Sequence, residues 1–299
     1  MFRIYNYLLL WCLLFAGNKL FAQTTEKPLF RFGIIADVQY ADRENHNTRH
    51  YRASLEKLSE AVAVFNKEKI KFVISLGDFI NDNYNSFDTL TAITNKLKMP
   101  LHHVVGNHDF DVSENKKSQV LQTLKLKNDY YSLKKKNWKF IFLNGNDISL
   151  IANTAGSVEY KEAQEMLDQL KAEGAPSAKP WNGTLSRNQI NWLQQELANA
   201  QKKKQPVIVL CHFPLYPDGS AQTLWNVAEI RNLIESYPNV KAYLNGHVHV
   251  SQYFHKNNLH YVTFKGMVEK DENAFTIVSV FKDHLEIKGY GKEVDRILK

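Results

Sequence analysis

The sequence has 299 residues and a formal net charge of +7, with 44% hydrophobic and 23% charged residues. That balance excludes disorder throughout and supplies enough apolar side chain for a sizeable core, while the length suits one large domain. No linker, repeat or low-complexity segment divides the chain.

Arg3 precedes an apolar run over residues 8–16, and Leu20-Phe21-Ala22 ends in a small residue before Gln23. This predicts a signal peptide over residues 1–22, cleaved after Ala22, with a single domain over 23–299 exported to the periplasm or beyond the cell. The run is too short for a good membrane span, so no stable span is expected after cleavage. Retention as an N-terminal anchor is the alternative. Cys12 follows Trp11 rather than a small residue, which argues against lipid attachment. Cleavage removes Arg3, Lys19 and Cys12, lowering the charge by two and leaving Cys211 without a disulfide partner. Cys211 ends an apolar run and reads as a core thiol.

Residues 29–36 predict a strand ending at Asp37. Residues 52–66 carry Leu55, Leu58, Val62 and Phe65 at helical spacing. A β-branched, apolar run over 71–76 ends at Gly77-Asp78. A helix is expected over 86–97, and a short strand over 101–105 ends at Gly106-Asn107-His108-Asp109. Residues 130–133 and 138–143 read as a hairpin. A helix over 159–171 is followed by a Pro- and Gly-bearing loop over 174–183. Ser186 and Gln189 form a capping-box pattern, Gln189 reaching back, that opens a helix with Ile190, Leu193 and Leu197. A strand over 206–210 precedes His212, and a helix is expected over 223–236. A strand over 240–244 precedes Asn245-Gly246-His247, and residues 251–290 are mostly β. Lysine runs at 134–136 and 202–204 read as solvated hairpin and helix-end residues, so no nucleic-acid partner is expected.

The chemistry-bearing residues stand at five strand ends. In open α/β sheets, ligands bind outside the carboxyl ends of strands, so the five ends point to one cleft. In Asp37-Val38-Gln39 and His247-Val248-His249, residues two apart point the same way on extended chain. Asp78 has two oxygens and can bridge two cations, Asn107 offers a neutral carbonyl, and imidazoles offer nitrogen. Each alone is an ordinary turn or cap residue; the ordered combination is what points to a metal centre.

This ordered set, Asp-x-Gln, Gly-Asp, Gly-Asn-His-Asp, His, Gly-His-x-His, resembles the calcineurin-like metallophosphoesterase superfamily. Gln39 stands where most members have His, a departure shared by the manganese-dependent ADP-ribose/CDP-alcohol diphosphatases. Residues 32–42, 182–186, 224–226 and 246–249 are also similar to that family, and the likeness extends over about residues 30–290. Asp109 stands where Glu is common, and Asn81 where Asp is expected.

The resemblance implies a layered α/β fold, a β-sandwich flanked by helices, with the metal site at strand C-terminal ends. It implies one metal held by Asp37, Gln39, Asp78 and His249 and another by Asp78, Asn107, His212 and His247. Asp78 and a hydroxide would bridge them, with roughly 3.5–4 Å between the ions. His108 would act as general acid or electrostatic clamp, and Asp109 would orient it or simply shape the turn. An amide oxygen in place of an imidazole suits Mn2+ over Zn2+, so two divalent ions are expected, Mn2+ preferred, with Mg2+, Fe or Zn2+ as alternatives. The implied activity is hydrolysis of the phosphoanhydride of ADP-ribose or CDP-alcohols. A broader phosphomonoesterase or phosphodiesterase is the alternative, and a non-catalytic scaffold a third, disfavoured because every ligand position and His108 are filled.

A nucleotide-type small molecule is the expected partner. Tyr40, Phe213, Tyr216, Trp181 and Trp225 are candidates to stack its base, a contact worth about 1–3 kcal/mol in nucleic-acid sites; packing is the alternative for each. His46 and His50 are candidates to meet a phosphate. His102 and His103 read as structural.

Overall fold

The structure is a computed structural model describing residues 26–299, so the expected leader lies outside the described residues. Strand β1 (Phe30–Ile35) leads through α1 (Ser54–Lys67) to β2 (Val73–Ser75), then through α2 (Ser86–Thr94) to β3 (Leu101–His103). A 3-10 turn at His108–Phe110 and short helices α3 (Glu114–Lys117) and α4 (Val120–Thr123) precede the hairpin β4 (Tyr131–Lys135) and β5 (Trp138–Phe142). Next come β6 (Ile148–Ser149), α5 (Val158–Ala172), β7 (Gly183–Thr184), α6 (Arg187–Lys202) and β8 (Val207–Leu210). The chain continues with α7 (Val227–Glu235), β9 (Val240–Asn245), β10 (Gln252–Lys256) and β11 (Leu259–Thr263). It closes with β12 (Ala274–Val280), β13 (Leu285–Gly291) and β14 (Arg296–Leu298).

Two six-stranded sheets form. One has the order β14-β13-β12-β1-β2-β3 and the other β10-β11-β9-β8-β5-β4, while β6 and β7 make a separate ribbon. β1, β2 and β3 are mutually parallel, as are β5, β8, β9 and β11. The period-two alternation of strands assigns the layers. Phe32, Ile34, Ile74, Phe140, Ile208 and Leu244 meet between the sheets, with Phe32 stacked on Phe72 and edge-on to Phe140. On the far side of the first sheet, Ile35 and Val73 pack on Leu58, Val62 and Phe65 of α1 and Leu90 of α2. On the far side of the second, Val207 and Val209 pack on Leu193 and Leu197 of α6 and Ile230 of α7. The result is a helix, sheet, sheet, helix stack, the layered α/β arrangement the sequence implied.

Some local expectations change. Ser186 caps α6 by accepting from the Gln189 amide at 3.2 Å, but the Gln189 side chain does not reach back. It is fully buried and instead donates to Asn144 O and Asp147 Oδ2, both at 2.9 Å, while accepting from Asn144 N. It therefore ties α6 to the turn after β5. The helix expected from residue 223 begins only at Val227, because Leu224 and Trp225 are buried in the preceding loop. Cys211 is buried in the second sheet's outer core, as expected, and burial pushes its thiol up to about 11.

Candidate metal centre

The parallel strands of both sheets point their carboxyl ends to one rim. β1 delivers Asp37 and Gln39, β2 Asp78, and β3 Asn107; β8 delivers His212, and β9 His247 and His249. All seven meet. Asp78, His212 and His247 place donor atoms within 4.8 Å of one another, and so do Asp37, Asp78 and His249. The two groups share Asp78.

The local backbone is strained to achieve this. Five of the seven sit in the left-handed region: Asp37 (φ 49°), Gln39 (φ 40°), Asp78 (φ 51°), His247 (φ 70°) and His249 (φ 63°). Such conformations cost of order 1–3 kcal/mol each and persist only where surrounding structure imposes them. Here main-chain bonds impose them: Asp37 N donates to Gly77 O, Gln39 N to Asp78 O, and Gly246 N to His212 O. Glycines give the side chains room. A Cβ on Gly246 would stand 2.5 Å from Asp37 Oδ2, and one on Gly106 would collide with Asp78 Oδ1.

The donors are buried. Asp37 and His212 are 0% exposed, Asp78 1% and Asn107 3%. Gln39 Nε2 donates to Asp78 Oδ2 at 2.9 Å, and Asp78 Oδ1 accepts from His108 N at 2.9 Å. His212 Nε2 lies 3.2 Å from Asp78 Oδ2 and 3.1 Å from His247 Nδ1. Four buried atoms, Gln39 Oε1, Asn107 Oδ1, His247 Nε2 and His249 Nε2, have no hydrogen-bond partner among the described residues. Buried polar atoms are rarely left without a partner, and amide oxygens and imidazole nitrogens are metal donors. The arrangement therefore fits two divalent cations.

Among the protein groups alone, the charges balance by proximity. Burial opposes ionisation of Asp78, but the neighbouring His212 and His108 outweigh it and hold the carboxyl far below the usual range. Burial likewise opposes protonation of His212 and His249, yet Asp78 and Asp37 respectively lift them to about 9. Burial and the adjacent His212 push His247 well below its ordinary value.

Of the two roles expected for Asp109, orienting His108 or shaping the turn, the structure supports the second. Asp109 does not orient His108. It is fully buried, accepting from Phe79 N at 2.7 Å and Gly106 N at 2.9 Å, and so stitches the β2 and β3 loops together. Burial and the charge of Asp78 push its carboxyl up to about 7. The His108 ring is instead fixed through Nδ1 by the main-chain carbonyl of Asn81 at 2.9 Å.

A cleft of about 610 Å³ opens over the donors, lined by Gln39, Asp78, Asn107, His108, His247 and His249 and by His46, Arg49, Trp181 and Glu269. Of the proposed substrate contacts, His46 and Trp181 line it, and Trp181 is 39% exposed with its indole N–H on Gln222 at 3.2 Å. Tyr40, Phe213, Tyr216 and Trp225 do not: they are buried in the core, Phe213 lying edge-on against His212 as part of the wall behind it. Their aromatic rings fill gaps between layers rather than face a base. His50 pairs with Asp271 outside the cleft. Asn182, although in an Asn-Gly-Thr sequence, is fully buried with its amide on Ser177 and Ala221 carbonyls, which precludes glycosylation in the folded state. A second cavity of about 580 Å³, lined by His102, His103 and Leu101, holds none of the candidate ligands.

Sequence reasoning missed Arg49 and Glu269. Glu269 lies 20 residues beyond His249 yet accepts from its Nδ1 at 2.6 Å. Only the folding back of the segment after β11, where Met267 N and Val268 N bond Ala36 and Asp37 carbonyls, brings it there.

Comparison with known proteins agrees with this geometry. A Xenopus laevis protein named manganese-dependent ADP-ribose/CDP-alcohol diphosphatase is 31% identical, over 91% of both chains. The Homo sapiens protein of the same name is 30% identical over 92% of this chain and 94% of its own. A solved dimetal phosphatase from Danio rerio superposes with a TM-score of 0.82 at 27% identity, covering 91% of this chain and 99% of that one. Residues 30–251 match the family described as calcineurin-like phosphoesterase, and the chain belongs to that family of metal-dependent hydrolases.

Proposed function

We propose that this protein hydrolyses the phosphoanhydride bond of nucleoside diphosphate-linked compounds, of the ADP-ribose and CDP-alcohol type, with two divalent metal ions and a preference for Mn2+. The observation that carries the reading is the pair of donor clusters sharing the buried Asp78. Its relatives' names supply the substrate class.

Asp37, Gln39, Asp78 and His249 would hold one ion and Asp78, Asn107, His212 and His247 the other. Ions held there would supply an acidified water and charge neutralisation for an in-line displacement. The chain's own groups do the rest. His108, with Nδ1–H engaged by Asn81 O, keeps Nε2 as the ring atom for the substrate; protonated, it donates to the leaving oxygen. Arg49 and His46 stand on the cleft wall where a second phosphate needs a cation. Trp181 offers a half-exposed face to a base. Export of the protein belongs to the same proposal and rests on the sequence of residues 1–22 alone.

The test is hydrolysis by metal-stripped protein reloaded with Mn2+ or Zn2+, on ADP-ribose, CDP-choline, a cyclic nucleotide and an aryl phosphate. AMP plus ribose phosphate, or CMP plus phosphocholine, without free phosphate, is the expected result, with Mn2+ above Zn2+. Activity confined to the aryl or cyclic substrate would keep the metal centre and reject the diphosphatase reading.

A further inference from the structure

The histidines of the two clusters are supported differently. His212 Nδ1 is engaged by a neutral acceptor, the main-chain carbonyl of Leu76, at 2.8 Å. His249 Nδ1 is engaged by a carboxylate, Glu269, at 2.6 Å. With the ring neutral, as a metal ligand must be, either bond fixes the proton on Nδ1 and leaves Nε2 its lone pair; Nε2 of His249 is buried, without a hydrogen-bond partner, and 3.4 Å from Asp37 Oδ1. A carboxylate behind an imidazole raises the donor strength of the far nitrogen, and a charged acceptor does so more than a neutral one. His249 serves the same cluster as Asp37, and two residues from Asp37 the chain has Gln39, a weak neutral donor.

Glu269 is delivered by a rigid frame. Lys57, buried on α1, donates to the main-chain carbonyl of Met267 at 2.8 Å and to that of Lys270, and Lys292 donates to the carbonyl of Glu269 itself. His50 N donates to Val268 O at 2.9 Å, and Lys270 N to Thr48 O at 2.6 Å. Gly266 lies so close to His249 that a Cβ there would stand 2.8 Å from Cγ. The frame spans α1, the loop after β1 and the turn after β13, and its output is one carboxylate behind one imidazole.

We propose that Glu269 is a positioning residue of the metal centre whose charge, acting through His249, compensates for the amide donor at Gln39. The inference rests on the two-metal reading above. Its test is Mn2+ binding to the metal-stripped full chain, followed by electron paramagnetic resonance without substrate. Glu269→Gln keeps the shape and the acceptor but removes the charge. One of the two Mn2+ constants is expected to weaken by about 10- to 100-fold while the other holds. In a Gln39→His background the same substitution is expected to cost severalfold less. Two unchanged constants, or an equal loss in both backgrounds, overturn the proposal. A parent protein that binds no Mn2+ overturns the two-metal reading and this inference with it, and is told apart because it needs no substitution. Should Glu269→Gln not fold, the 15N spectrum of the parent loaded with diamagnetic Zn2+ carries the test: a proton on His249 Nδ1 and none on Nε2 is expected, and a proton on Nε2 overturns it.

Discussion

The left-handed backbone at the candidate ligands can be weighed at His247, where φ is 70°. Comparing His247→Gly with His247→Ala removes the imidazole from both and leaves backbone preference as the difference. At an ordinary position alanine stabilises over glycine by about 0.4–1 kcal/mol, because it narrows the unfolded ensemble. In the left-handed region an L side chain carries a cost of roughly 1–2 kcal/mol that glycine escapes. The net expectation reverses the usual order, with His247→Gly the more stable by about 0.5–1 kcal/mol. No packing difference obscures it, since the native side chain already has a Cβ at this place. Urea unfolding of the two metal-free variants measures it, provided their m-values agree. Equal stability, or the alanine variant ahead, would refute the claim that the surrounding structure holds His247 in an unfavourable conformation.

Three further outcomes are expected. His108→Ala should keep its Mn2+ content and lose about 10²–10⁴-fold in kcat; full activity would remove its role. Trp181→Ala should weaken nucleotide binding by about 1–3 kcal/mol, read as a higher KM with kcat nearly unchanged, and an unchanged KM would place the base elsewhere. His103 is 7% exposed against Phe79, and burial pushes it down to about 3. The folded state then takes up its proton only near pH 3, while the unfolded state does so near 6.5. Stability from this group is therefore full above 6.5 and falls with pH, by about 1–1.4 kcal/mol per pH unit between these values. His103→Phe should be less sensitive to acid by about 2 kcal/mol over pH 6.5 to 4.5, and identical pH profiles would contradict this.

The candidate ligands were legible because each follows an apolar strand, and parallel strands carry whatever follows them to the same rim. Gln39, His212 and His249 needed no knowledge of sheet order to be placed near one another. The supporting groups were not legible. Asp109 and Gln189 look like turn and cap residues in sequence, and only burial turns them into ties between loops. Glu269 lies three residues after Gly266 in a stretch without periodicity, and its position depends on a strand-to-strand return that local pattern does not encode. The aromatic residues near the motifs failed for a related reason. A ring beside a site serves equally as wall or as stacking surface, and the choice is made by layers packing on both sides, as at Phe213.

Every oxygen donor of the centre comes from the first sheet and every nitrogen donor from the second. The spacing between the two kinds of ligand is therefore set by the thickness of the layer between the sheets, where Phe32, Phe72 and Phe140 lie against one another. Trimming one of those rings changes no group in the cleft, yet it lets the oxygen half and the nitrogen half approach. Metal selectivity is thus expected to respond to substitutions in the hydrophobic core, and screens for altered ion preference have reason to sample positions that no substrate or ion touches.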